Sequence, residues 1–290
     1  MGHWKESEFR IGTDQQREVS GMSSNTNIGK AALVTASTDG IGFAVACSLF
    51  GAGYSVLLNG RDPARLREAV EKIRALGGNQ SWVDGVSVDL SEAASCRTIV
   101  TFLESHETPL RAAFINTPTP SVGLPEALSE NDWRYAVQSI VRFPEFALRN
   151  CAETMARHGG GAIVVNSSCS ATIPIGPQFF LSNTLRSVSL AQAKAYARRY
   201  AEQHIRINVL LTGFVDTRLT RSAAENIALA EKRQVAEVWE SWEHEIPLGR
   251  LARPDEIAKA ALFLLSDDAS YMTGTALEID GGLSTLHYNF

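Results

Sequence analysis

The 290-residue chain predicts an α/β fold, a doubly wound parallel sheet in a three-layer αβα arrangement built as a single domain. Three observations carry that expectation. Short apolar runs alternate with helix-length stretches from Lys30 onward. A glycine turn follows the first run directly, where sheets of this kind meet their ligand. No linker, internal repeat or low-complexity segment interrupts residues 28–285. Strand and helix alternating in this way require right-handed crossovers, which put helices on both faces of the sheet.

The elements follow in order. Residues 31–36 (AALVTA) form an apolar run suited to a strand buried on both faces, and a helix is expected from Ile41 to about Ala52. Residues 55–58 (SVLL) are the second strand. Asp62 followed by Pro63 starts a helix, with a capping side chain and a proline in the first turn, and Gly77 and Gly78 end it near Leu76. Residues 83–88 form a third strand, Ser91 opens a helix, and residues 112–116 (AAFIN) form the fourth strand. Ser129 and Asp132 resemble a capping box ahead of one long helix ending near His158. Residues 162–165 are the fifth strand, 180–204 a long helix and 205–211 the sixth strand. Residues 220–243 and 254–265 are expected as helices, and 275–279 as the last strand.

Composition excludes several classes. A net charge of −5 and a pI near 5.7 argue against nucleic acid as a partner, since phosphate binding needs a basic surface. No stretch reaches the roughly 20 apolar residues of a membrane helix. Residues 1–27 are polar and lack an apolar core of the secretory type, so they are expected to be a disordered extension, with Met22 as an alternative start. Cys47, Cys96, Cys151 and Cys169 are scattered, which fits reduced thiols in a cytoplasmic protein. The histidines form no metal-binding spacing, so no metal is expected.

The chemistry begins at residues 34–44, VTASTDGIGFA. Glycines at a strand-to-helix turn let backbone approach a pyrophosphate, and the helix N-terminus adds free N–H groups and a positive dipole end. Thr35, Ser37, Thr38, Asp39, Gly40, Ile41 and Gly42 are therefore the expected cradle of a Rossmann-type sheet. The second strand ends in Asn59-Gly60-Arg61. An acid there would hold the 2′-hydroxyl of NAD; instead Arg61 suits the 2′-phosphate of NADP, so NADP(H) is favoured over NAD(H). The plainer reading of Arg61 is a solvated surface residue. Asp89 is an adenine partner or a helix-capping acid.

These residues resemble the short-chain dehydrogenase/reductase family, with Ala36 where its first glycine is usual. The resemblance spans about 28–285 and includes IRINVLLTGFVDT and the stretch IPLGRLARPDEIAKAALFLLSDDASYMTGTALEIDGG. It implies that Leu90, Asn116, Gly213, Val215 and Thr217 contact the cofactor. It also implies a homodimer or homotetramer, a small-molecule substrate, and a lid over about 218–247. Family members carry a Tyr and a Lys spaced four apart on one helix face, so that the lysine charge lowers the tyrosine pKa for acid–base work at the substrate oxygen. Here those positions fall on Ser182 and Arg186, the family's Asn position falls on Ile140, and its Ser matches Ser168. This resembles an atypical subgroup, similar to 3-oxoacyl carrier-protein reductases, that shares LSNxxR and lacks the Tyr–Lys pair.

Ser182 cannot replace a tyrosine as proton donor, being shorter and a weaker acid. Arg186 keeps the positive charge and can hold a ribose or a substrate anion, but it is a poor proton relay. Cys169, Phe179, Phe180, Trp239 and Trp242 are candidate substrate contacts, each of which packs equally well as core. Ser167 and Ser170 are expected to bond local backbone. The leading expectation is an NADP(H)-dependent oxidoreductase of a carbonyl or alcohol, with Ser168, Ser182 and Arg186 in a nonstandard site. The alternatives are a non-redox enzyme (lyase, isomerase or cyclase) reusing the cleft, or a nonenzymatic dinucleotide-binding protein.

Overall fold

The computed structural model describes residues 27–77, 81–92 and 95–287. The extension expected over 1–27, apart from Asn27, lies outside these residues, as do Met22 and Gly78. The first apolar run forms β1 (Ala31–Val34), buried along its whole length. Its side chains alternate, Ala32 and Val34 entering one core cluster and Leu33 the other. That is the period of two a strand imposes. The first half continues as α1 (Gly40–Gly51), β2 (Ser55–Gly60), α2 (Pro63–Arg74), β3 (Val83–Ser87), α3 (Ser95–Glu104) and β4 (Leu110–Ile115). Next come α4 (Glu130–Ala136), α5 (Phe143–Arg157), β5 (Gly161–Ser168), α6 (Phe180–Leu185), α7 (Val188–Tyr200) and β6 (Ile205–Thr212). The chain closes with α8 (Arg218–Glu231), α9 (Val235–Glu245), α10 (Pro254–Leu265) and β7 (Ala276–Ile279).

The seven strands form one sheet in the order β3-β2-β1-β4-β5-β6-β7, every pair parallel. One face packs on α1, α2 and α10 through Val45, Leu49, Ile73, Ile257 and Ala261. The other packs on α3, α5 and α7 through Ile99, Leu103, Leu148, Met155 and Ala197. The doubly wound, three-layer fold expected from the alternation is thus present. The order reverses between β1 and β4, and a switch point of this kind opens a crevice at the strands' C-terminal ends.

Three expected helices are divided. The one from the Ser129 cap to His158 runs as α4, a π-type stretch at Val137–Arg142, and α5. Pro144 has no N–H for the Ile140 carbonyl, which widens the turn there. The helix expected over 180–204 breaks at Arg186 and Ser187. The Ser189 N–H and hydroxyl both donate to the Arg186 carbonyl, at 3.1 and 2.6 Å, tightening the turn. The helix expected over 220–243 is two, because Lys232 turns left-handed at φ 54° after α8. The Glu237 carboxylate then accepts the Gln234 N–H at 2.9 Å to start α9. The helix opened by Ser91 starts later, at Ser95.

The Ser129–Asp132 capping box forms, with Ser129 and Asp132 bonding each other's backbone N–H. Hydrogen bonds from the Ser121 and Ser129 hydroxyls and the Ser129 N–H hold Asp132 down to about 2. A depressed carboxylate contributes stability above its unfolded value and loses it as pH falls through the folded value. The Asp132→Asn variant is therefore expected to unfold at a lower temperature than wild type at pH 6. The gap should close between about pH 4 and 2 in a series of thermal melts. A gap that persists unchanged at pH 2 would contradict this role.

Candidate functional site

The switch point opens into a cleft of about 470 Å³, within the range of about 300–1,000 Å³ typical of small-molecule sites. It is lined by the turn after β1 (Ala36, Thr38) and the loop after β4 (Asn116, Thr117, Pro118, Thr119). One rim is the start of α1 with Asp39, Gly40 and Ile41; the other carries Ser168, Ser182 and Arg186.

The glycine turn brings the start of α1 close against the end of β1. Gly40 opens α1 at φ +56°, a conformation that disfavours side chains. A Cβ on Gly42 would stand 2.4 Å from the Ala36 carbonyl, so the helix could not approach the strand so closely with any larger residue. Ala36 itself takes φ 46° where glycine is usual. Two asparagines hold it there: its N–H donates to Asn59 Oδ1 at 3.1 Å, and Asn116 Nδ2 donates to its carbonyl at 3.2 Å. The turn thus keeps its close approach with alanine in place of glycine, and a pyrophosphate bound at the α1 N-terminus would meet the Asp39 carboxylate, which accepts the Gly40 N–H at 2.7 Å.

Not every expected cradle residue faces the cleft. Thr35 and Ser37 are fully buried. Thr35 exchanges hydrogen bonds with the Asn116 backbone, and Ser37 with those of Val34 and Asn59, so they join β1 to its neighbours. Gly42 serves packing. Thr38, Asp39, Gly40, Ile41, Arg61, Asp89, Leu90, Asn116, Gly213, Val215 and Thr217 do line the cleft. Arg61 is 68% exposed, with Nη1 3.8 Å from Asp89. Asp89 Oδ1 accepts the Ser91 N–H and hydroxyl, the capping reading, while the residue still borders the cleft. Asp39 Oδ2 accepts from Arg65 at 3.1 Å and Arg218 at 3.0 Å. Burial opposes its ionisation, but the bonds from Arg218 and the Gly40 N–H and the charges of Arg218 and Arg65 hold its carboxyl below the ordinary value.

Ser182 and Arg186 lie four apart at the α6 end, both 8% exposed, and both reach the cleft beside Ser168. The Ser168 hydroxyl accepts the Ser170 N–H at 3.2 Å and lies 3.9 Å from the Cys169 sulfur. Arg186 Nη1 donates to Thr117 Oγ1 at 3.0 Å and to the Asn166 carbonyl at 3.5 Å, while Nε is buried without an acceptor. Burial pushes its guanidinium down to about 10. Ile140, at the expected asparagine position, is buried against Leu181 and Ala136 and offers no polar atom.

The substrate candidates separate. Phe179 and Trp242 border the cleft; Trp242 stacks on Phe214 at 4.7 Å and 11°. Phe180 instead packs edge-on against Trp133, and Trp239 lies behind Trp242, 6.0 Å away. Cys169 is turned away from the cleft, 1% exposed among Phe179 and Trp242, and burial pushes its thiol up to about 11. A thiol so raised is a poor nucleophile. Ser167 borders the cleft, and its hydroxyl lies 3.4 Å from the Arg186 carbonyl and 2.8 Å from the Ser189 hydroxyl, partners at the α6–α7 junction and not the local backbone expected. Ser170 differs too, since its buried hydroxyl has no partner.

Sequence reasoning missed Tyr135, Asn59, Asn166 and Ile175 as cleft residues. Asn59 had a signal, a polar residue inside a buried strand, which demands partners. It donates to the Val86 and Val88 carbonyls and receives Ala36. Tyr135 carried no signal, because its approach to Arg61 and Asp89 depends on how α4 docks. Among the described residues no helix is long and apolar enough to cross a membrane, and no cluster of three acids, histidines or cysteines could hold a metal ion.

A family model described as "Enoyl-(Acyl carrier protein) reductase" matches residues 35–284. The galactitol 2-dehydrogenase (L-tagatose-forming) of Cereibacter sphaeroides is 30% identical over 257 residues, covering 88% of this chain and 94% of that protein. Dehydrogenase/reductase SDR family member 4 of Homo sapiens is 30% identical over 257 residues, covering 87% of each. A solved structure of L-sorbose reductase from Gluconobacter frateurii, complexed with NADPH and L-sorbose, matches with a TM-score of 0.82 at 26% identity. That match covers 90% of this chain and 99% of the reductase.

Proposed function

Since the chain belongs to the short-chain dehydrogenase/reductase family of oxidoreductases, we propose that it is an NADP(H)-dependent reductase of small carbonyl compounds, with Ser182 and Arg186 in place of a tyrosine and a lysine. One observation carries the reading. A single cleft joins a phosphate cradle, an arginine at the end of the second strand, and a polar rim of Ser168, Ser182 and Arg186. The matched reductase complex with NADPH supports the choice of cofactor.

When bound, the nicotinamide would supply hydride to the carbonyl carbon. The residues Thr38 to Ile41 and Thr217 would hold the phosphates, and Arg61 the 2′-phosphate. Ser168 would donate its hydroxyl proton in a hydrogen bond to the substrate oxygen and fix the carbonyl in place. Ser182 would leave room beside that oxygen. Neither serine is acidic enough to give up a proton near neutral pH, so the proton completing the alcohol would come from water. The helices α8 and α9 would cover the substrate end, with Trp242 and Phe214 as its apolar wall.

Two experiments test this. With NADPH deuterated at the transferable position and a panel of ketones and oxo acids, one deuterium should reach the alcohol carbon for each NADPH oxidised. Turnover without isotope transfer would overturn the reductase reading. The Arg61→Ala variant should weaken NADPH binding on the order of tenfold, about the loss of one charge-assisted hydrogen bond, and leave NADH binding nearly unchanged. Equal losses for both cofactors would remove Arg61 from the 2′-phosphate.

A further inference from the structure

The cation beside the cleft is incompletely satisfied. Arg186 is 92% buried by its 8% exposure, and its only acceptors are one hydroxyl and one carbonyl, both on Nη1. Nε is buried with no acceptor at all. None of the ion pairs among the described residues includes it, although Asp39, Asp89 and Asp216 all find cationic partners. A buried charge without a counter-charge is costly, so a ligand that brings the opposite sign gains more there than beside an ion pair.

Position decides which ligand. Arg61, Arg65 and Arg218 stand at the opposite end of the cleft, around the α1 N-terminus. They can answer the phosphates of a dinucleotide. Arg186 is held on the β4–β5 side by Thr117 and Asn166, next to Ser182 and Ser168. A ribose hydroxyl there would bring no charge. The neighbouring wall of Ile175, Phe179, Phe214 and Trp242 is apolar.

We propose that Arg186 seats an anionic group of the substrate, so that the cleft takes carbonyl compounds with a carboxylate at one end and an apolar body at the other. The assignment of a carbonyl rests on the reductase reading; the anion seat does not. A guanidinium binds a carboxylate through charge-assisted N–H donors; with Nη1 engaged by Thr117 and Asn166 and Nε closed off, Nη2 is the donor left for the acid. Ser182, a small side chain lining the cleft beside Arg186, leaves room for the acid.

The test is calorimetric titration of the full chain with benzoylformate and 3-benzoylpropionate, each against its methyl ester, with and without NADP+. The acid with the better chain length should bind at least tenfold tighter than its ester. Arg186→Met should abolish that preference, Arg186→Lys should retain part of it, and Arg157→Met, an equal charge loss at an exposed site, should leave it intact. Acid and ester binding alike in the wild-type protein, or neither binding, would overturn the proposal without recourse to any variant. A loss of NADP+ affinity in Arg186→Met with the acid preference intact would assign the cation to the cofactor and equally overturn it. Acid preference without any NADP+ binding would leave the anion seat standing and overturn the reductase reading instead.

Discussion

Replacing Ser182 by tyrosine together with Arg186 by lysine is expected to raise carbonyl reduction about a hundredfold, the low end of the range for general acid catalysis. The two positions share one face of the same helix end and both reach the cleft. A tyrosine at 182 would extend into the cleft toward Ser168, and a cation four residues on would lower its pKa. Neither serine supplies a comparable acid. Ser182→Tyr alone should give part of the gain, because Arg186 remains a cation. The Arg186→Lys change alone should give little. The check is the first-order rate of NADPH oxidation at saturating neutral ketone, where protonation rather than binding limits the reaction. A folded, NADPH-binding double variant with no gain would mean that proton transfer to this oxygen does not limit turnover.

Phe114→Ala is expected to cost about 3–5 kcal/mol of stability, a fall in Tm on the order of 10 °C. Phe114 is completely buried on central strand β4, in the cluster shared with Val34, Val164 and Leu210. Truncation removes the ring and leaves a void that close-packed neighbours fill only in part. The effect should extend to the site. The Phe114 carbonyl accepts the Thr35 N–H at 3.1 Å, just before the chain leaves β1 for the glycine turn. Denaturant melts of the two proteins measure the cost. A loss under 1 kcal/mol would indicate a core far more compliant than its packing implies.

How far the sequence foretold this structure depended on whether a signal was local. The strands were legible, because runs such as residues 31–34 and 55–58 are apolar on both faces and only a doubly covered sheet buries them so. The Asp62 and Ser129 caps were legible because capping chemistry sits within three residues. The helix breaks at Arg186 and Lys232 were not, since serine hydroxyls that capture a carbonyl and a left-handed lysine leave no strong pattern. At the site, the turn and its glycines announced the cradle, but not which side chains would face inward. Thr35 and Ser37 turned to strand partners and Cys169 to core, because the direction of a side chain at a strand end is set by what packs on the other face, while half-buried Phe180 at the start of α6 turned to Trp133. The isolation of Arg186 was equally invisible. A sequence shows that a cation is present, and only the assembled fold shows that no acid reaches it.

The central claim is that this cleft holds a phosphorylated nicotinamide dinucleotide. Direct titration of the protein with NADPH and, separately, with NADH, followed by nicotinamide fluorescence, tests it most simply. Saturable binding of one NADPH per chain, tighter than NADH, is the predicted result. Binding of neither would mean that Ala36 and Pro118 close the turn to phosphate, and would contradict the account.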